Sequence, residues 1–584
     1  MSNASIELGG GNWAAKDGKL LGYAVGDTSG KYIPREFDFT RNSDIAATRV
    51  NEDGLIEKHR ENLLLHSNQF DTTWTTTNAS VTSGESGYDG SSDAWLLGST
   101  GGLGRLVQSI SQGGVQTLSF YAKAGTYNFA RPLGLDSSTN PDAFFDLSTG
   151  TIASIDAACI DAQIEKAGGG WYRCSITYDT TISEARIYPA FADGDASTYG
   201  GNIYIQDAQL EQGLVATDYL ESGASTGKAG ILENLPRIDY TDGSASLLLE
   251  PQRVNLVDYS EYFGAWNTKG TASVTDNQAV SPEGVSNAAL LDFGSTTSGA
   301  NRIDLQPAVS SGTDYLFSVF VKNIDANRIG IRNYNTTNDA IANFDFSSGS
   351  FSDTNINVID TIVESYGNGW YRIGIVSNSG AATFADVRIS PDTTSGSDGE
   401  QIYIYGAQLE VGSYPTSYIP TYGVSVTREE DNMDTTFSSP LSTDGGVSVL
   451  YYIKGTDKKS GISANARYLN FATDSGLTTP YIAYNRTDEE HRVRVYDGTV
   501  STYSKAEVDI ENDVKIVVVA EGDTHKVFSN GVLRYTRTTN SIDWSSITDF
   551  VHTSDDDIGV IDVKQALLFP TALTDSECIA LTTL

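Results

Sequence analysis

Gly170-Trp171-Tyr172-Arg173 returns 199 positions later as Gly369-Trp370-Tyr371-Arg372, and this recurrence decides the fold. The same offset carries Leu118-Ser119-Phe120-Tyr121-Ala122-Lys123 onto Phe317-Ser318-Val319-Phe320-Val321-Lys322, and Phe145-Asp146-Leu147-Ser148-Thr149-Gly150 onto Phe344-Asp345-Phe346-Ser347-Ser348-Gly349. It also carries Ile203-Tyr204-Ile205 onto Ile402-Tyr403-Ile404. Both copies open alike, at Arg60-Glu61-Asn62-Leu63 with Ser67, Phe70 and Trp74, and at Arg253-Val254-Asn255-Leu256 with Ser260, Phe263 and Trp266. They close alike as well, at Ala208-Gln209-Leu210-Glu211 and Ala407-Gln408-Leu409-Glu410, each followed by Gly, Thr and Tyr. So many matches in order are an internal duplication, and each copy must be a folding unit.

The repeated blocks read as strands and turns. Leu118, Phe120 and Ala122 alternate with Ser119, Tyr121 and Lys123, the period of a half-buried strand. Gly169-Gly170 and Asn368-Gly369, each ahead of Trp-Tyr-Arg, are hairpin signals. Many short strands at such spacing predict a sandwich. The expected class is therefore all-β and multidomain: a lead-in over 1–59, a jelly-roll-like sandwich over 60–222, a linker over 223–252, a second over 253–425, and a third sandwich over 426–584. Residues 223–230, Gly-Ala-Ser-Thr-Gly-Lys-Ala-Gly, have linker composition.

The repeated motifs resemble those of a type of tailed-phage tail or fibre protein, in which an Arg-x-Asn-Leu-Leu opening, a Gly-Trp-Tyr-Arg hairpin and an Ala-Gln-Leu-Glu close bracket a carbohydrate-binding-module-like jelly roll. The lead-in, Thr40-Arg41-Asn42-Ser43 through Thr48-Arg49-Val50-Asn51-Glu52-Asp53-Gly54-Leu55-Ile56-Glu57, is similar to that of marine-phage members. The resemblance implies a virion location, assembly in the host cytoplasm, contact with host surface glycan, and a homo-oligomer, with a trimer the expected state. Residues 1–59 are then expected to bind other virion proteins and to be removable without unfolding the sandwiches. A capsid decoration or head fibre with the same fold is the alternative, and a polysaccharide-degrading tail spike a further one.

Residues 428–584 follow another pattern, with strand-like runs at 446–453 and 514–519. A hairpin follows at Lys526–Tyr535, turning at Asn530-Gly531. This portion resembles a concanavalin-like or laminin-G-like sandwich. Thr574-Asp575-Ser576-Glu577 is a capping box and predicts a short C-terminal helix.

Charge narrows the partners. Lys and Arg total 38 against 75 Asp and Glu, a net of −37. Nucleic acid is disfavoured as a partner, because its binding needs a basic surface. Insertion into a membrane is not expected, since no long apolar run occurs. Cys159, Cys174 and Cys578 are too few for a disulfide framework.

No catalytic motif emerges, and an enzyme is not expected. The five histidines show no metal-ligand spacing, and neither a Gly-x-Ser-x-Gly elbow nor a phosphate loop is present. Aromatics retained in both copies, such as Trp171 with Trp370, are expected to serve the core. Aromatics present in one copy only are the candidate sugar platforms: Trp95 faces Ala289, Tyr366 faces Ala167, and Tyr405 faces Gln206. Asp555-Asp556-Asp557 is the densest carboxylate run and the candidate loop for Ca²⁺; no other cofactor is expected.

Overall fold

The computed structural model describes residues 4–25, 32–295, 301–334, 339–392, 399–442, 445–455, 468–487, 489–553 and 559–584. The described chain is all-β apart from two single-turn 3₁₀ segments and the helix Asp575–Thr582.

Each repeat is a pair of six-stranded antiparallel sheets. In the first, one sheet runs Cys159–Gly168, Trp171–Asp179, Val115–Ala124, Asn202–Gln212, Ala94–Ser99, Ala79–Glu85. The facing sheet runs Thr151–Ile155, Ala143–Asp146, Phe129–Leu135, Ile182–Ala190, Arg105–Gln112, Thr75–Thr77. The second repeat reproduces this order strand for strand, with Asp314–Asn323 and Trp370–Asn378 in place of Val115–Ala124 and Trp171–Asp179. The alternation read along residues 118–123 is real: Leu118, Phe120 and Ala122 lie in the core, while Tyr121 and Lys123 face outward and are half-exposed.

Both central ladders carry the same bulge. Its extra residue takes left-handed backbone at Asp207 (φ 51°) in the first copy and Gly406 (φ 58°) in the second. The hairpin turns before Trp-Tyr-Arg are left-handed at Gly169 and Gly170, and at Asn368 and Gly369, while Asn530 and Gly531 supply the two positive φ angles of a type I′ turn.

The stretch with linker composition is not loose. Gly227–Ala229 pairs with Arg60–Asn62 at the base of the first sandwich, just as Val426–Arg428 pairs with Arg253–Asn255 at the base of the second. The two sandwiches also touch directly: Tyr259 donates to Asp179 at 2.7 Å, Asn277 to Asp161 at 2.9 Å, and the Val115 amide to the Tyr422 carbonyl at 3.0 Å.

The largest departure from the sequence reading concerns residues 1–59 and 223–252. Ile6–Gly9 pairs with Ile561–Phe569 at four positions, and that strand pairs in turn with Gly446–Ile453. Lys19–Val25 and Tyr32–Asp38 extend the sheet beyond Ile6–Gly9, and Ser246–Leu249 adds to Ile561–Phe569 from the linker. The third sandwich is thus assembled from both ends of the chain and its middle. Its core holds Ile6, Leu8, Leu20, Phe37 and Phe39 beside Val447, Val449, Ile516, Val518 and Phe550. A strand edge such as Ile561–Phe569 needs a partner, and the lead-in is what supplies it.

A buried knot of charge ties these pieces together. The Arg237 guanidinium bonds Glu250 at 2.7 Å and also Asp431; Arg41 reaches Asp431 at 3.4 Å; Arg428 reaches Glu250 at 3.0 Å. All five side chains are at most 1% exposed. Burial alone would raise the Glu250 carboxyl, but Arg428 and Arg237 outweigh it and hold it at about 2. Arg41 also bonds the carbonyls of Leu232, Leu235 and Ser43, and Arg428 that of Pro251, while the Nε of Arg237 and of Arg428 are buried without a partner.

The helix Asp575–Thr582 begins with both halves of the predicted capping box: Glu577 N donates to Thr574 Oγ1 and Thr574 N to the Glu577 carboxylate. Within the helix Cys578 is buried, whereas Ile579 is 42% exposed.

The third sandwich also holds three buried histidines. Burial pushes His491, His525 and His552 down to about 4. Both ring nitrogens of His525 lack a protein partner. A histidine lowered in the folded state contributes stability that is complete above the ordinary value near 6.5 and drains away as pH falls towards 4. Each is worth on the order of 2–3 kcal/mol over that window. Asp562, raised by burial to about 6, works in the opposite direction and cancels part of the loss. The melting transition of the third sandwich is therefore expected to fall as pH drops from 7 to 4, with His525→Phe reducing the fall; a transition flat over that range would refute the burial of these rings.

Candidate functional site

The bulge at Asp207 lies on the outer face of the first sandwich's sheet, and the other groups of the site gather around it. Outward-pointing residues of the neighbouring strands are Tyr121, Lys123, Trp171 and Tyr204, because their neighbours at the strand period fill the core. The loop between Ala79–Glu85 and Ala94–Ser99 folds over this face and lays Tyr88 flat on Tyr121, with ring centroids 3.7 Å apart and planes within 9°. Trp171 meets Tyr88 edge-on at 6.5 Å. The Arg173 guanidinium lies 5.6 Å from the Tyr121 ring, and the Lys123 ammonium 5.5 Å from that of Tyr204.

Polar groups rim this floor. Tyr88 Oη donates to Asp207 Oδ2 at 2.9 Å, and Tyr88 N to Gln206 Oε1 at 3.1 Å. Gln206 Nε2 donates to Asp93 Oδ1 at 2.9 Å and, at 3.4 Å, to Asp89 Oδ1 and Ser91 Oγ. Asp89 and Asp93 are exposed, while Tyr88, Tyr121, Lys123 and Tyr204 are half-exposed. Burial, with Asp93 and Asp89 adding to it, pushes the Asp207 carboxyl up to about 6.

Asp207 stands in left-handed backbone where its twin is glycine. That conformation is uncommon for any residue with a Cβ, and aspartate is among the few that tolerate it. The first copy thus places a carboxylate on this face at a position where the second uses glycine. In the second copy a Cβ at Gly406 would meet Phe320 at 2.9 Å and Tyr418 at 3.2 Å, so a side chain has no room there.

The corresponding face of the second sandwich is covered. Residues 48–58 of the lead-in form a hairpin, Thr48–Val50 with Ile56–Lys58, that packs Ile56 onto Phe320, Trp370, Tyr405 and Tyr418. The Ile56 amide donates to the Pro282 carbonyl at 2.9 Å. Lys58 Nζ then sits 3.1 Å from Glu261, 2.9 Å from Glu283 and 2.8 Å from Tyr422 Oη. Burial disfavours that ammonium, but the two carboxylates outweigh it and hold Lys58 well above the ordinary lysine range.

These placements correct the sequence-based candidates. Trp95 is only 7% exposed; it lies between the sheets, 6.0 Å from Phe70, with Nε1 donating to the Asn68 carbonyl at 3.0 Å. Tyr405 is fully buried beneath the lead-in hairpin, its hydroxyl donating to Glu261 and Glu283. Neither ring is open to a sugar. Tyr366 packs edge-on against Phe320 at 4.9 Å and lines a separate cleft of about 220 Å³ among the lead-in, linker, second and third sandwiches, where Arg49, Lys454, Asp239 and Asp562 also stand. The structure therefore does not bring the three together. Asp555, Asp556 and Asp557 lie outside the described residues.

The residues that do converge, Tyr88, Tyr121, Asp89, Asp93, Gln206 and Asp207, were within reach of the two-copy comparison. Tyr88 stands against Pro282 and Asp207 against Gly406. What that comparison lacks is the identity of the strand faces covered by the lead-in.

No family model matches the chain, and no curated protein matches it. Among solved structures, the N-terminal CBM22-1-CBM22-2 tandem domain of Xyn10C from Paenibacillus barcinonensis is similar at 12% identity, covering 64% of this chain and 99% of that one, with a TM-score of 0.20. An exo-beta-1,3-galactanase from Phanerochaete chrysosporium is similar at 9% identity, covering 67% and 78%, with a TM-score of 0.16. Neither likeness bears on activity.

Proposed function

We propose that this chain is a structural virion protein of a tailed phage, a tail fibre or receptor-binding component that contacts host surface glycan through the outer face of its first sandwich. The observation that carries the reading is the half-exposed Tyr88–Tyr121 stack bordered by Asp89, Asp93, Gln206 and Asp207. Sugar rings pack their C–H faces on aromatic rings, and carboxylates and amides fix their hydroxyls. The phage assignment rests on the resemblance of the opening, hairpin and closing motifs. In that setting the protein binds and does not cleave, and copies arrayed on one particle, with a trimer the state the resemblance implies, add weak sites by avidity.

A glycan array probed with the full chain tests this. Wild type is expected to bind a defined subset of bacterial surface glycans, and Tyr121→Ala to bind them about tenfold or more weakly, a loss of about 1.4 kcal/mol. Its melting temperature should move little, since Tyr121 lies outside the core. An array with no wild-type signal, or an unaffected variant, would reject the proposal.

A further inference from the structure

The two loops that border the faces of the repeats are equivalent residue by residue. They have equal length, the left-handed glycines Gly90 (φ 87°) and Gly284 (φ 89°) fall at the same place, and the closing bonds correspond: Gly87 N to Ser91 O at 3.1 Å, Ser281 N to Val285 O at 2.9 Å. Asp89 therefore stands where the second copy has Glu283, Asp93 where it has Asn287, and Asn68 where it has Glu261. Across the ladder, Gln206 stands at Tyr405 and Asp207 at Gly406.

In the second copy this acidic corner has an occupant. The lead-in lays an apolar side chain, Ile56, on the aromatic floor and an ammonium, Lys58, between Glu261 and Glu283. The first copy has the aromatic floor and three carboxylates, yet among the described residues no basic side chain pairs with Asp89, Asp93 or Asp207, and no outside segment bonds to the face. Nor are these carboxylates drawn together as metal ligands; among the described residues no such group occurs. The repeat itself thus shows what chemistry fits the corner: an apolar group on the aromatic floor with an ammonium beside it. The net charge of −37 favours a cationic ligand over a polyanionic one as well.

Resting on the reading that this face binds glycan, we propose that its ligand is a sugar with a free primary amine, a de-N-acetylated amino sugar whose ammonium sits among Asp89, Asp93 and Asp207 while its ring lies against the Tyr88–Tyr121 stack. On the second sandwich the equivalent face is covered by the chain's own lead-in, with Ile56 on the aromatic floor and Lys58 between two carboxylates.

The probes are a fully de-acetylated glucosamine hexamer and its N-acetylglucosamine counterpart, titrated into the full chain near about pH 6 and followed by calorimetry. The glucosamine hexamer is expected to bind at least about tenfold more tightly, with the difference shrinking as salt is added. Asp89→Asn with Asp93→Asn, both exposed positions, should abolish that preference, and Tyr121→Ala should weaken both ligands. No binding of the glucosamine hexamer, equal or tighter binding of the acetylated one, or an undiminished preference in the double variant overturns the proposal. In any of those cases the broader glycan reading still stands if an arrayed sugar binds wild type and is lost with Tyr121→Ala. Capture of lysine-rich peptide on this face, with no sugar bound, would overturn both.

Discussion

Removing residues 1–59 is expected to unfold the third sandwich and leave the first intact. Deletion strips the pairing partner from Ile561–Phe569 and takes Ile6, Leu8, Leu20, Phe37 and Phe39 out of one core. At about 1.5–3 kcal/mol for each fully buried large apolar side chain, five such losses amount to roughly 7–15 kcal/mol. That equals the whole stability of an ordinary domain, about 5–15 kcal/mol. The freed edge of Ile561–Phe569 would add a route to aggregation. Hydrogen exchange followed by mass spectrometry reads the outcome by segment: residues 446–453 and 561–569 should lose protection while 115–124 and 171–179 keep it. Unchanged protection over 561–569 would show that the lead-in is dispensable, as a separable anchoring arm would be.

Asp431→Ala is expected to destabilise the chain by about 3–5 kcal/mol, because it leaves Arg237 and Arg41 buried opposite a missing carboxylate. The penalty arises from the uncompensated guanidinium groups more than from the lost attraction, so it should exceed that of exposed pairs such as Lys16 with Glu36, worth about 0–1 kcal/mol. Asp431 also accepts the Glu250 amide at 2.9 Å, which the alanine leaves unbonded. Denaturant titration checks the size. Acid should weaken the same knot: Glu250 is held at about 2, so its contribution is complete above the ordinary carboxylate value near 4.5 and disappears as pH falls from there towards 2. A loss below 1 kcal/mol in Asp431→Ala would mean that water reaches the site.

The sequence made the sandwiches legible because a duplication is an experiment already performed on the fold. Where two diverged copies keep Leu118 and Phe317, or Phe145 and Phe344, the shared constraint is the core, and all four side chains are fully buried. The all-β class, the type I′ turn at Asn530-Gly531 and the capping box at Thr574 rest on local chemistry and were readable for that reason. The role of Ile6–Gly9 was not, since its partner Ile561–Phe569 lies more than 550 residues away and no periodicity reports on such a distance. Arg41, Arg237 and Arg428 likewise sit in short motifs resembling solvated charge, and only their meeting with Glu250 and Asp431 explains them.

The candidate site fared less well for a related reason. Uniqueness to one copy does not mark the surface at Trp95 and Tyr405, because it also arises when one copy acquires an internal partner. Tyr405 is covered by the lead-in hairpin, and Trp95 packs on Phe70 between the sheets of its own sandwich. At Asp207 the sequence alone gives only a polar residue against a glycine; the left-handed backbone that makes the choice informative appears in the structure.

At the centre stands a division of labour between twin faces, one open and one closed by residues 48–58. Calorimetric stoichiometry with the tightest arrayed glycan measures it directly. One molecule bound per chain, its affinity falling about tenfold or more with Tyr121→Ala, is the predicted result; two per chain, or an affinity that the substitution leaves unchanged, would contradict it.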